Sequence, residues 1–152
     1  MLATGAMVVV VVGVLSFWGD TVGRLFQSDM ERIQGRWKVV SIVVKGGAVP
    51  ENEQGYFIFE DEGIKLFGPN GLKSSTDYSL DDGHDPGWVD LLPPGWEDLG
   101  IPEDEAPRLR GIYELKGNTL RICLSGDPDG KRPTTFESKA DSRTDLIVLQ
   151  RE

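Results

Sequence analysis

Ile33-Gln34-Gly35-Arg36-Trp37-Lys38-Val39-Val40-Ser41 is the stretch around which the rest of the chain can be arranged. It starts as the tail of a helical pattern and becomes, after Gly35, a β-branched run. Trp37, Val39, Ser41 and Val43 alternate with Lys38, Val40, Ile42 and Val44, so a strand over 36–45 puts the tryptophan on one face. Upstream, Val22, Leu25, Phe26, Met30 and Ile33 recur at spacings of three and four, which predicts a short helix. Ser28-Asp29 can cap a piece of it beginning at Met30, and Gly35 supplies the stop.

Downstream the pattern is strands and turns. Tyr56 to Phe67 reads as a hairpin; a turn at Glu62-Gly63 sets Glu60 opposite Lys65 and Phe59 opposite Leu66. Strands follow at 75–80 and 88–92. The clearest hairpin is Arg108 to Leu124. With Gly117-Asn118 as its turn, Leu115 meets Leu120, Glu114 meets Arg121 and Tyr113 meets Ile122. A one-residue slip would break all three pairs, which pins the register. Further strands are expected at 134–138 and 146–151. The 19 glycines and 9 prolines agree with many turns and few helices. Together these features predict an all-β domain, roughly eight antiparallel strands in an up-and-down barrel, over residues 20–152.

Charge excludes one class of partner. The chain carries a net charge of −9, and between Lys73 and Arg108 there is no Lys or Arg but ten acids: Asp77, Asp81, Asp82, Asp85, Asp90, Glu97, Asp98, Glu103, Asp104 and Glu105. A phosphate backbone would be repelled, so no nucleic-acid partner is expected.

Leu2 to Trp18 contains no charged residue, and as a helix it would extend about 25 Å, slightly short of a bilayer core. It is too long for a buried strand. Residues 1–19 are therefore expected to be a signal peptide or a transmembrane anchor. A cleavage site after Ser16, with Val14 at the minus-three position, is weak, and no basic residue precedes the span. The expectation is an anchored or exported protein, its barrel extracytoplasmic and its membrane contact confined to this segment.

Four ordered segments carry a resemblance: Ile33 to Ser41, Gly111 to Leu124, Arg132-Pro133-Thr134-Thr135-Phe136 and Leu146-Ile147-Val148-Leu149, with Trp88-Val89-Asp90-Leu91 between them. They are similar to a lipocalin-like domain family of planctomycete bacteria. The resemblance implies a lipocalin-like barrel with Trp37 as the plug of one end. It implies no activity, since that family carries no established one. The stretch from Leu92 to Pro107 departs from the family by replacing a shorter linker, and long loops in compact domains are often functional.

Within such a barrel, Val39, Ser41, Phe59, Leu66, Tyr113 and Ile122 are the candidate interior residues for a small apolar ligand, and an equally apolar set would make a filled core. The alternative is a filled barrel acting as an interaction module through the acidic 81–107 stretch, with Trp88 and Trp96 as its contact residues. His84 is the only histidine, in Asp81-Asp82-Gly83-His84-Asp85-Pro86-Gly87; that spacing suits a turn better than a metal site, so no metal is expected. Cys123 falls on the sheet face beside Ile112 and reads as a packing residue. No catalytic constellation and no cofactor motif is present, so enzymatic activity is not expected.

Overall fold

The structure is a computed structural model that describes residues 27–93 and 95–152. The segment expected to be a signal peptide or anchor lies outside the described residues. No helix among the described residues is long and apolar enough to cross a membrane. The chain divides after Arg32. Before that point the described residues form one turn of helix, α1 (Asp29–Arg32), in which the Ser28 hydroxyl accepts the Glu31 N–H at 3.2 Å.

From Ile33 onward the chain is a barrel. Its strands are β1 (Gly35–Val44), β2 (Gly47–Ala48), β3 (Tyr56–Glu60), β4 (Gly63–Gly68), β5 (Gly71–Asp81), β6 (Gly87–Leu91), β7 (Leu109–Lys116), β8 (Thr119–Ser125) and β9 (Thr144–Arg151). Each pairs antiparallel with its neighbour in the order β1-β3-β4-β5-β6-β7-β8-β9, and β9 returns to β1. Residues Trp37 to Val44 align with Arg151 back to Asp145, which closes eight strands and removes the sheet edges between β9 and β1. β2 is a two-residue addition to the end of β1. The all-β, up-and-down architecture expected from the sequence is the one observed, and it is compatible with a lipocalin-like fold.

The hairpin over 109–125 has the expected register, with Leu115 opposite Leu120, Glu114 opposite Arg121 and Tyr113 opposite Ile122. The hairpin of β3 and β4 differs by two residues. Its turn is Asp61-Glu62, with Asp61 at φ 54, and Phe59 faces Ile64 while Phe57 faces Leu66. An even shift leaves every side chain on its expected face, and it adds a second apolar pair, Phe57 with half-buried Leu66, to that face. The Glu60 carboxylate still reaches Lys65 at 3.4 Å, now along the diagonal.

Two other expectations are corrected. Ser41 does not continue the face of Trp37 and Val39. The ladder slips between Val39 and Ser41, which pair with Leu149 and Val148, so Val40 is an extra residue and Ile42 pairs with Ile147. Leu149 is an inner residue, so Val148 and its partner Ser41 face outward, and Ile42 takes the inner position. Residues 134–138 form no strand. Both edges of β8 are already taken, by β7 and β9. The segment instead crosses the outside of that sheet as a strap. The Cys123 thiol donates to the Glu137 carbonyl at 3.6 Å and the Thr144 hydroxyl to the same carbonyl at 2.7 Å. The Ser138 hydroxyl donates to the Thr144 carbonyl at 2.6 Å, and the Arg121 guanidinium lies 4.2 Å from the Phe136 ring.

The core therefore has two layers. The main one fills the barrel with Trp37, Phe59, Tyr113, Leu120 and Leu149. The second lies outside the wall, where the strap buries Cys123 and the neighbouring Ile112 is buried beside it.

Candidate functional site

Trp37 lies near the start of β1, where the chain enters the barrel. It is 0% exposed, its indole N–H donates to the Ile33 carbonyl at 2.7 Å, and the Arg151 guanidinium lies over it at 4.2 Å. Arg151 in turn donates to the Gln34 carbonyl at 2.9 Å. The Gln34 amide donates to the Tyr78 hydroxyl and the Asp61 carbonyl, both at 3.1 Å, and accepts the Asp61 N–H at 2.7 Å. These contacts tie Trp37, Gln34, Tyr78, Asp61 and Arg151 together at this end of the barrel.

Of the expected interior residues, Val39, Phe59, Tyr113 and Ile122 are buried inside the barrel, Leu66 is half-buried, and Ser41 is turned outward. Trp37, Leu120 and Leu149 have no surface open to water, so no water-sized void lies against them. Close packing of this kind gives the middle of the barrel to side chains. At the other end Asp145 is in phase with the inner residues Ile147 and Leu149 and pairs with Leu124. Partial burial raises the pKa of its carboxyl above the ordinary value, and Lys45 opposes the rise.

The larger feature is on the outer wall. Trp88 pairs with Ile112 and projects outward from β6. A cleft of about 410 Å³ opens beside it, lined by His84, Asp85, Pro86, Trp88, Ile112, Arg132, Pro133 and Thr134. The β5–β6 loop forms one wall and the start of the strap forms the other. The His84 imidazole lies parallel to the indole, 5° from coplanar and 3.4 Å between centroids. The Arg132 guanidinium carbon lies 4.4 Å from the same indole. An imidazole stacked at that distance leaves no room for a guanidinium on the same side, so the two groups flank the ring on opposite faces. Trp88 is nevertheless 39% exposed. What it offers the cleft is its edge.

Arg132 is fixed by its own contacts. It donates to the Gly111 carbonyl at 2.8 Å, and the same nitrogen faces Asp90 Oδ1 at 2.8 Å. The Asp90 contact is an ion pair without an aligned hydrogen bond, since the nitrogen's two hydrogens are shared among Gly111, Asp90 and a longer contact to Val89. His84 Nε2 lies 3.2 Å from Asp81 Oδ2. Among the described residues no three His, Cys, Asp or Glu side chains converge as a metal cluster. Trp96 lies beyond the far end of β6, in a single 3-10 turn (Trp96–Leu99), and lines neither this cleft nor a second one. That second cleft, about 300 Å³ at the turn from Gly68 to Lys73 with Glu53, holds no aromatic side chain.

The sequence points to Trp88 but to neither of its flanking partners as part of a site. His84 was visible as a turn residue, and its position four before Trp88, on the loop that leads into that strand, was the available signal. Arg132 sits far along the chain and left no local sign. Burial pushes the Cys123 thiol above its ordinary pKa, with the Glu137 hydrogen bond opposing, which suits a packing residue.

No protein-family model, no curated protein and no solved structure matches this chain. The fold defines it as a closed eight-stranded antiparallel β-barrel.

Proposed function

We propose that this domain is a non-enzymatic binding module: a lipocalin-like barrel with a filled interior, carried on an exported or membrane-tethered chain, that takes its partner on the outer wall at the Trp88 cleft. One contrast carries the reading. The inner residues Trp37, Val39, Phe59, Tyr113, Leu120, Ile122 and Leu149 are all buried, whereas the Trp88 cleft is open and, at about 410 Å³, falls in the range of small-ligand sites. An apolar floor of Ile112, Pro86 and Pro133 under a polar rim is the usual composition of such a site. The cleft also falls at the start of the acidic 81–107 stretch, so this reading keeps that stretch as the interaction region and, of its two tryptophans, rests on Trp88.

The test uses full-length protein labelled with ¹⁵N and a library of small aromatic and aliphatic fragments, read at the tryptophan indole signals. Fragments are expected to shift the Trp88 signal and leave Trp37 unmoved. Native mass spectrometry of protein from its own cells provides the opposing result: a retained lipid whose removal shifts Trp37 would return the site to the barrel interior.

A further inference from the structure

We infer that the Trp88 cleft takes an extended, proline-rich peptide segment carrying arginine or lysine, an inference that rests on the reading of this cleft as the binding site.

Three features of the cleft select that chemistry. The first is hydrogen bonding. A polyproline II segment presents carbonyl acceptors and, at each proline, no N–H, so its receptor must supply donors. Two donors here are unused: among the described residues neither the Trp88 indole N–H nor the Thr134 hydroxyl has a hydrogen-bond partner. A sugar, by contrast, would need a free aromatic face, and both faces of this ring are covered by His84 and Arg132.

The second feature is shape. Pro86, Trp88 and Pro133 with Ile112 beneath them form a groove of rigid apolar walls, the kind of surface on which proline-rich segments dock. The segment's preformed extended conformation lowers the entropy that binding must overcome.

The third is charge. Asp85 lines the cleft and Asp82 stands in the same loop; among the described residues neither has a cationic partner. Arg132, the one fixed cation at the groove, is held by Asp90. No Lys or Arg occurs between Lys73 and Arg108, so the loop wall of the cleft presents uncompensated negative charge. A basic side chain one step along the peptide would meet it, and long-range attraction would speed the encounter.

The probes are three synthetic nonapeptides (a proline–arginine repeat, a proline–glutamate repeat and a glycine–serine–arginine repeat) and a neutral trisaccharide, each titrated into full-length ¹⁵N-labelled protein to about 1 mM, the scale of weak specific binding. The proline–arginine repeat is expected to shift the Trp88 indole signal saturably, more strongly at low than at high salt. Trp88→Phe keeps a ring and removes the N–H, and should weaken binding about threefold to tenfold. Asp82→Asn with Asp85→Asn should weaken it several-fold at low salt only. Both are surface substitutions that leave the barrel folded, and a Trp37 signal at its native position verifies that. Equal shifts from the glycine–serine–arginine repeat would overturn the proline requirement, and equal shifts from the glutamate repeat the charge requirement. Shifts from the trisaccharide or from fragments alone would overturn the peptide inference and leave the cleft as the site. No shift at Trp88 from any probe or fragment would overturn both.

Discussion

Replacing Trp37 tests how the barrel is held together. The side chain is 0% exposed and the carbonyl it bonds, on Ile33, belongs to a residue 1% exposed. Truncation of a buried tryptophan to alanine costs about 3–5 kcal/mol from lost apolar transfer and the cavity left behind. Trp37→Ala also strands the Ile33 carbonyl, now without its 2.7 Å donor, and leaves the Arg151 guanidinium over a void. These losses place the variant at the upper end of that range. Domains of this size have about 5–15 kcal/mol to lose, so the variant is expected to be marginal. Trp37→Phe separates the contributions. It keeps most of the apolar ring but loses the N–H, and an unsatisfied buried acceptor costs about 1–3 kcal/mol. The assay is equilibrium unfolding in urea followed by far-ultraviolet circular dichroism, because tryptophan fluorescence changes with the substitution itself. With a denaturant slope of about 2 kcal/mol/M, a 4 kcal/mol loss moves the midpoint down by about 2 M, and Trp37→Phe should move it by about half as much. A loss under about 1 kcal/mol for Trp37→Ala would refute the reasoning, because it would mean that the closed end collapses without cost around the missing ring.

Other predictions concern the strap and the barrel mouth. Arg132→Ala should destabilise by about 1–3 kcal/mol, because the partly buried Asp90 loses its cation and the Gly111 carbonyl its donor; Arg132→Lys should restore little, since one ammonium cannot serve both and also cover Trp88, and thermal unfolding of the pair distinguishes the outcomes. Cys123 should resist a thiol reagent in the native protein and react only on unfolding, because it is buried and its pKa is raised; prompt labelling at pH 8 would contradict the described strap. Asp145 has a raised folded-state pKa, so the folded protein holds its proton more tightly than the unfolded chain does. The stability this adds is fully present below the ordinary carboxylate pKa and is lost as pH rises through the folded value. Asp145→Asn should therefore be the more stable protein at neutral pH, with the difference vanishing in acid; urea midpoints at pH 3 and pH 7 decide it.

The legible parts of the sequence were those where alternation is punctuated. The 109–125 hairpin could be read to the residue because Glu114 with Arg121 sits between two apolar pairs, and only one register satisfies all three. In β1 the run Val39-Val40-Ser41-Ile42-Val43-Val44 is valine- or isoleucine-rich in both phases, so an extra residue at Val40 leaves little mark and simple alternation puts Ser41 on the wrong face. The strap escapes a sequence reading for a different reason. Thr134 to Ser138 has a strand-like composition, but whether a segment joins a sheet depends on a free edge, and closure of the barrel leaves β8 none. The candidate site suffered from the same non-locality: Trp88 was visible, but its setting depends on where Arg132 and the strap come to lie.

That dependence ties the cleft to the packing of the wall. In an up-and-down barrel the outer face of each strand normally meets water, and strands alternate between apolar and polar positions. β8 breaks the rule. Its outward Cys123 is as buried as its inward Leu120, both at 0% exposure, because the strap covers it. Toward the strap's beginning the cover thins: Arg132, Pro133 and Thr134 stand at the edge of the covered zone, the loop carrying His84 stands opposite, and buried Ile112 forms the floor between them. The cleft is thus the seam where the second layer of core stops short of the β5–β6 loop. Arg132 holds that seam open, since its contacts to Gly111 and Asp90 anchor the strap to the wall while its guanidinium supports one face of Trp88. A barrel whose interior is occupied by its own side chains can still present a shaped, chemically mixed surface in this way, built from an outer layer that most of the wall does not have.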